Sequence, residues 1–327
     1  MKKVAQLSEE DRRDLFSETA AKTGIVPSAI EKDFWLCWVL MIIFEHPDLS
    51  KILKLKGGTS LSKCYNLIDR FSEDIDLILD WTVLTKEDPN VPRKSKTKQD
   101  EFNKLIDQLA IKYIKDDLLP IIQEKIEPNC KAEIDSSDSH TINIIYPKYF
   151  NDEYIKPEIK LEIGPLASMV PFNAYKVKSY SSEVFPEQFE QSEVEVVAIT
   201  AERTFWEKVT ILHAEAHRPE HSTQPIRYSR HYYDVFKMLN TEYESKALAN
   251  LDLLNDVVLF KKQFYHRGWA NYDSAVPKTM KLVSRKSKIA SLEKDYEQMK
   301  EMIFGDYPEF DEIIEKLESF QNKLNKL

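Results

Sequence analysis

Two carboxylates, Asp74 and Asp76, stand two residues apart in the stretch Arg70-Phe71-Ser72-Glu73-Asp74-Ile75-Asp76. Residues 75–79 predict a strand, and side chains two apart on a strand project from the same face. Like charges so placed repel unless a cation lies between them. A hard, oxygen-seeking ion such as Mg²⁺, its shell completed by phosphate oxygens, meets that need. Just upstream runs Lys56-Gly57-Gly58-Thr59-Ser60-Leu61-Ser62-Lys63. The chain has only six glycines, so an adjacent pair marks a place where a Cβ would be in the way. Read as strand, diglycine turn and helix, this stretch is built for phosphate. Lys56 and the glycines bring the backbone close, the helix N-terminus offers free N–H groups, and Thr59 and Ser60 add hydroxyls.

Metal-assisted phosphoryl chemistry generally needs a further carboxylate near the attacking hydroxyl. Glu158, Lys160 and Glu162 alternate with Ile159, Leu161 and Ile163, and so share one face of another strand. Glu162, at the end nearest Gly164, is the first candidate for a metal-binding and proton-accepting group; Glu158 is the reserve. Later in the chain, Lys208 lies on a helix opening at Glu202 and has the reach to act on a triphosphate as a mobile point charge. Arg227, Arg230 and Asp234 fall on neighbouring turns of the next helix. Either arginine can grip phosphate, and Asp234 can pair with Lys208 or with an arginine. His213 and His217 stand four apart, but Ala214 occupies the position of the glutamate in the H-E-x-x-H zinc pattern, and Pro219 breaks the helix before His221. We read these histidines as structural.

The elements that must hold these groups follow from pattern. The first forty-odd residues read as helical, with N-cap signatures at Ser8-x-x-Asp11 and Ser28-x-x-Glu31. An apolar run over residues 34–44, behind Glu31, Lys32 and Asp33, suits a buried helix. Then come a strand at 52–56, the glycine pair, a helix over 59–68 and the strand at 75–79. A polar loop spans 86–98 and a long amphipathic helix 99–126, interrupted at Pro120. Strands recur at 131–134, 141–146 and 155–163. Beyond about Val197 the pattern is helical, at 201–216, 228–239, 248–265, 291–303 and 309–326. The expected fold class is α+β: a mixed half over residues 1–195, with an N-terminal helical extension, followed by an all-helical half over 196–327.

Composition narrows the partners. With 42% hydrophobic and 31% charged residues in 327, the chain has the make-up of a soluble globular protein. No run approaches the roughly 18 apolar residues that span a bilayer, and acidic residues follow Met1-Lys2-Lys3 where a signal peptide needs an apolar region. No membrane partner is expected, and the cytoplasm is the expected location. Cys37, Cys64 and Cys130 lack the spacing of a zinc site or a disulfide framework. The net charge of −9 speaks against nucleic acid. Yet between Lys261 and Lys288 eight Lys and Arg face one acid, Asp273, with Phe264, Tyr265, Trp269 and Tyr272 interleaved. Cations mixed with stacking faces suit a single-stranded nucleic-acid end.

Four blocks together resemble the AbiEii/AbiGii toxin family, a branch of the DNA polymerase β-like nucleotidyltransferases. They are Lys56 through Asp76, then Lys160-Leu161-Glu162-Ile163, then 202–208, then 227–234; Glu31-Lys32-Asp33-Phe34-Trp35 adds to the likeness. The resemblance implies a polymerase-β-like core and a helical C-terminal domain. It implies that Gly58, Thr59 and Ser72 contact phosphate, that Asp74 and Asp76 bind metal, and that Lys208 and Asp234 are the helical domain's active-site pair. It also implies the toxin of a bacterial toxin–antitoxin or phage-defence pair, with a cognate antitoxin, and some relatives act on the 3′ end of tRNA. Glu162 departs from the superfamily's more usual Asp. The resulting expectation is transfer of a nucleoside monophosphate from a nucleoside triphosphate, with two Mg²⁺ ions, to a tRNA 3′ end. The alternatives are a protein or small-molecule hydroxyl as acceptor, or a nucleotide-binding protein without catalysis.

Overall fold

Leu53, Leu55, Ile75, Leu77, Ile142, Ile144, Ile159, Leu161 and Ile163 alternate with polar residues along their strands, and all are at most 1% exposed. That alternation becomes a sheet with one dry face and one polar face. The computed structural model describes residues 1–152 and 155–327. The chain divides into two compact units, one of Met1–Cys64 with Phe71–Ile199 and one of Tyr65–Arg70 with Thr200–Leu327.

The first unit holds seven strands: β1 (Leu53–Lys56), β2 (Asp74–Leu79), β3 (Lys131–Ile134), β4 (Thr141–Ile145), β5 (Glu158–Gly164), β6 (Phe172–Lys178) and β7 (Glu193–Ile199). Their order is β3-β4-β5-β2-β1-β7-β6. β2 runs parallel to β5 and β1 parallel to β7; the other pairs are antiparallel. The helices of this unit are α1 (Lys2–Ala5), α2 (Glu9–Thr23), α3 (Pro27–Glu45), α4 (Leu49–Ile52), α5 (Gly57–Lys63), α6 (Lys96–Tyr113), α7 (Leu119–Ile126) and α8 (Tyr180–Val184). α3 is buried nearly all round, as its apolar run demands, and packs with α7 in the core formed on the dry face of the sheet.

Local chemistry explains where these elements start and stop. The Ser8 hydroxyl accepts the Asp11 N–H, and Gly24 closes α2 in the left-handed region. The capping box expected at Ser28 does not form: Pro27 opens α3, and the Ser28 hydroxyl bonds Asp152 instead. The long helix expected over 99–126 is two helices, with a π-helical turn at Ile114–Leu118 just before Pro120, where the missing N–H resets the ladder. α5 is shorter than the helix expected over 59–68, because the chain leaves at Tyr65 to contribute six residues to the second unit. β6 and β7 are additions to the expected strands, and the expected boundary at 195 falls inside β7.

The second unit is helical: α9 (Ala201–Ala216), α10 (Ser229–Leu239), α11 (Tyr243–Ala249), α12 (Leu251–Phe264), α13 (Lys286–Glu297) and α14 (Phe310–Leu324). The single helix expected over 248–265 is split, with Asn250 capping α12. Tyr65–Arg70 joins this unit through Arg70, which bridges Ile303, and through the Asp69 carbonyl, which accepts the Phe304 N–H.

Candidate active site

β2 places Asp74 and Asp76 on the polar face, and sheet register decides what lies beside them. Asp76 stands opposite Lys56 of β1 on one side and Glu162 of β5 on the other; Asp74 stands opposite Lys160. Residues in register share a face, so three carboxylates and two cations form one patch. Of the two glutamates weighed, Glu162 is in register with Asp76, and it is exposed. Glu158 lies opposite Ile145, beyond the pair. Among the described residues no three His, Cys, Asp or Glu side chains converge tightly enough to cage a metal ion. The three carboxylates therefore share a face without meeting at one point. Lys160 is held by a group the sequence did not single out: its Nζ lies 2.9 Å from Asp135 Oδ2, which also accepts from Asn143 at 2.9 Å. Hydrogen bonds from Ser137, Lys160 and Asn143 keep the Asp135 carboxyl far below the usual carboxylate range.

Gly57 of the glycine pair also serves this patch directly. Gly57 has φ +75°, and a Cβ there would lie 2.0 Å from Asp76 Oδ2. The missing side chain makes room for a carboxylate of the protein itself. Thr59 and Ser60 are buried, and their hydroxyl protons are engaged within the motif: Thr59 donates to the Asp74 carbonyl and Ser60 to the Gly57 carbonyl at 2.9 Å. Both were expected to offer hydroxyls to phosphate; here Thr59 fastens α5 to β2, and Ser60 bonds within the first turn of α5. Gly58 is buried in the first turn of α5, and Ser72 is half-buried in the loop before β2. Gly57→Ala is expected to fold while displacing Asp76, since a left-handed alanine costs about 1–2 kcal/mol and the Cβ needs the carboxylate's space. Nucleotidyl transfer should fall by about 10²-fold, the usual result of an ångström-scale misplacement. Wild-type rates in the variant would show that Asp76 need not stay where it is.

In the helical unit, Asp234 of α10 is fully buried and holds two cations. Arg70 bonds it through Nε at 2.7 Å and Nη2 at 2.8 Å, and Lys208 Nζ of α9 lies 2.8 Å away. Burial raises the Asp234 pKa, but the two cations outweigh it and hold the carboxyl well below the ordinary range. The expected pairing of Asp234 with Lys208 is present, together with Arg70, a partner 164 residues away in sequence. The expectation of Lys208 as a mobile charge does not hold, because the side chain is buried and anchored. Arg230 is half-buried, and its charge acts on both Lys208 and His231. Arg227 is exposed at φ +62°, and its N–H donates to Asp295, which also accepts from the Ser229 backbone and hydroxyl. His213 is buried; its Nδ1 accepts the Lys281 N–H at 3.1 Å, which leaves the Nε2 proton for the Asn271 carbonyl. Burial lowers its pKa to about 4, so the ring is neutral and belongs to the packing.

A mixed sheet with paired carboxylates on one face, beside a helix opened by a glycine pair, fits the nucleotidyltransferase class. Residues 38–325 match the family described as nucleotidyl transferase AbiEii toxin, type IV toxin–antitoxin system, and the chain belongs to that family. Its substrate is accordingly a nucleoside triphosphate, and its partner an antitoxin. Among solved structures, JHP933 from Helicobacter pylori is similar at 14% identity, over 92% of this chain and 95% of that one, with a TM-score of 0.45. MenT4, a nucleotidyltransferase toxin from Mycobacterium tuberculosis, is similar at 14% identity, over 96% and 97%, with a TM-score of 0.41. No curated protein sequence matches the chain significantly. Among the described residues no helix is long and apolar enough to cross a membrane.

Proposed function

We propose that the protein moves a nucleoside monophosphate from a nucleoside triphosphate to an RNA 3′ end, with tRNA the acceptor to test first, and that this transfer in the cytoplasm is its toxic act and its route to phage defence. The observation that carries the reading is the register of the polar face, where Asp74, Asp76 and Glu162 lie together with Lys56 and Lys160 beside them. The residues present fit Mg²⁺: two carboxylates share a face, and Gly57 leaves clear the space a Cβ would take from Asp76. Asp74 and Asp76 would hold the metal, two ions in our reading, with Glu162 as the third ligand. Bound there, Mg²⁺ supplies charge neutralisation for the triphosphate and polarises its oxygens. Lys56 and Lys160 add positive charge along the same face. The RNA hydroxyl oxygen attacks the α-phosphorus, the bond to the β-phosphate oxygen breaks, and pyrophosphate leaves. Glu162, exposed next to Asp76, accepts the hydroxyl proton. Lys208 and Asp234 act in this reading by ordering Arg70 and the helical unit, because Asp234 is closed to any ligand.

Support for an RNA acceptor comes from the surface of the 261–288 tract. Lys262, Arg267, Lys278, Arg285 and Lys286 are exposed, as is Tyr265. Lys261 stands over the Tyr265 ring at 4.8 Å, and Arg267 over Trp269 at 5.8 Å. Lys281 and Lys288 serve the fold, through a backbone N–H to His213 and through Nζ to the Ser222 carbonyl.

The test is incubation of the full chain with each labelled nucleoside triphosphate, Mg²⁺ and total tRNA. Label is expected in tRNA and is expected to vanish with Asp74→Ala/Asp76→Ala. A second variant carries Arg267→Gln, Lys278→Gln, Arg285→Gln and Lys286→Gln. It should label tRNA weakly, with a salt dependence of RNA binding shallower by about 3 in log–log slope for four lost phosphate contacts. Equal labelling by this variant would move the acceptor to a small molecule or a protein hydroxyl. Label in nothing would leave a binding protein.

A further inference from the structure

Three consecutive charged residues, Glu31, Lys32 and Asp33, lie inside α3, the most buried helix of the sheet unit, and none is more than 2% exposed. Charges are put in such a place only with partners, since the desolvation cost is several kcal/mol per ion. Each has a different partner. Glu31 accepts the backbone N–H groups of Tyr149 at 2.8 Å and Phe150 at 3.2 Å. Lys32 Nζ lies 2.9 Å from Glu73 Oε2, with both side chains buried. Asp33 pairs with Lys63 and accepts the Tyr180 N–H at 2.7 Å. Lys63 in turn donates to the Lys178 carbonyl at 3.3 Å and lies 3.8 Å from the Tyr180 ring centroid.

The partners mark out the site. Glu73 is the residue before Asp74, and Lys63 is the last residue of α5, the helix that Gly57 opens. One helix therefore grips both arms of the carboxylate motif, at the start of β2 and at the far end of α5. Glu31 ties the same helix to the chain leading toward β5, which carries Glu162. A pair of packed apolar side chains would stabilise the core as well as a buried ion pair does. What the ions add is direction: a salt bridge fixes where Glu73 and Lys63 sit, whereas apolar packing leaves them free to slide.

We propose that Lys32 and Asp33 are positioning residues for the metal-binding carboxylates, Lys32 by fixing Glu73 and so the course of the chain into Asp74, and Asp33 by fixing α5 so that Gly57 meets Asp76. This rests on the reading of Asp74 and Asp76 as metal ligands given above. Neither residue touches substrate. The device explains why Glu31-Lys32-Asp33 is charged in a helix whose other buried positions are almost all apolar.

The experiment measures Mn²⁺ binding to the full chain by electron paramagnetic resonance, thermal unfolding without metal, and nucleotidyl transfer, for wild type, Lys32→Met, Lys32→Met/Glu73→Met, Lys32→Arg and Asp74→Asn. Lys32→Met leaves Glu73 buried without its cation and is expected to lower both stability and Mn²⁺ affinity. The double Met variant is the deciding one. It should recover the unfolding temperature yet bind Mn²⁺ about tenfold or more weakly and transfer nucleotide about 10²-fold more slowly, as a loss of placement predicts. Lys32→Arg should restore a substantial part of the Mn²⁺ affinity. A double variant that regains wild-type stability, Mn²⁺ binding and transfer together would overturn the proposal, leaving the pair a packing element. Unchanged Mn²⁺ binding in Asp74→Asn would instead overturn the assignment of the metal site, and the positioning role with it.

Discussion

Asp74→Asn and Asp76→Asn are each expected to leave the protein folded and to reduce nucleotidyl transfer by about 10³-fold or more. The size follows from what the carboxylates do in the proposed reaction. Several kcal/mol of charge stabilisation depend on the ion they hold, and each 1.4 kcal/mol is about a factor of ten in rate. The fold should survive because both side chains are only half-buried, on the polar face of β2, while Ile75 and Leu77 on the other face carry the packing. Asn is isosteric, so at position 76 it also fits the space beside Gly57 that a larger group would not. The measurement is single-turnover label transfer at saturating Mg²⁺, with unfolding temperature as the control for folding. Transfer within tenfold of wild type in both variants would remove these residues from the chemistry. Loss of transfer with toxicity retained in cells would separate the enzyme from the toxic act and favour a binding protein.

How much of this was legible in the sequence varies with the distance over which each contact is made. Asp74 and Asp76 on one strand face are a local matter of period two, and the alternation through Leu79 predicts it. The strands 53–56 and 131–134, and the helix 201–216, were legible for the same reason. That Glu162 falls beside Asp76 is not local: it depends on how β5 aligns against β2, and a shift of one residue would have turned Glu162 to the dry face. The same holds for Arg70. It opens the stretch that leads to Asp74, yet the chain turns away at Tyr65, and the Arg70 guanidinium meets Asp234 in the helical unit. Lys208 misled for a related reason. A lysine on a helix is ordinarily exposed, and only the presence of Asp234 on the neighbouring α10 makes its burial tolerable. Gly57 was read as a demand for space, and the group found in that space is Asp76, which spacing alone does not reveal. Glu31, Lys32 and Asp33 stood out only as charges ahead of an apolar run; their partners, Lys63, Glu73, Tyr149, Phe150 and Tyr180, are all remote in sequence.

Removing the charge at position 234 is expected to cost more stability than any other single change considered. Asp234 holds both Arg70 and Lys208, and the three side chains are at most 8% exposed. Asp234→Ala takes away the buried carboxylate that two interior cations share, a loss of about 3–5 kcal/mol and a fall in Tm on the order of 10 °C. Acid should imitate the variant. The folded carboxyl titrates below its unfolded value of about 3.9, so the stability it contributes is fully present above that pH and is lost as pH drops toward the folded value. Wild type should lose this increment on acidification, and Asp234→Ala should lack that part of the slope. Stability alone does not say what the cluster is for, and a triple variant does. Arg70→Met/Lys208→Met/Asp234→Leu removes all three charges and replaces them with apolar groups of similar volume, which restores stability in buried ion clusters elsewhere. Tm is expected to return while nucleotidyl transfer stays low, as follows from the proposed reading in which Lys208 and Asp234 order Arg70 and the helical unit. Transfer that returned along with Tm would reduce the three residues to scaffold and leave the chemistry wholly to the polar face of the sheet.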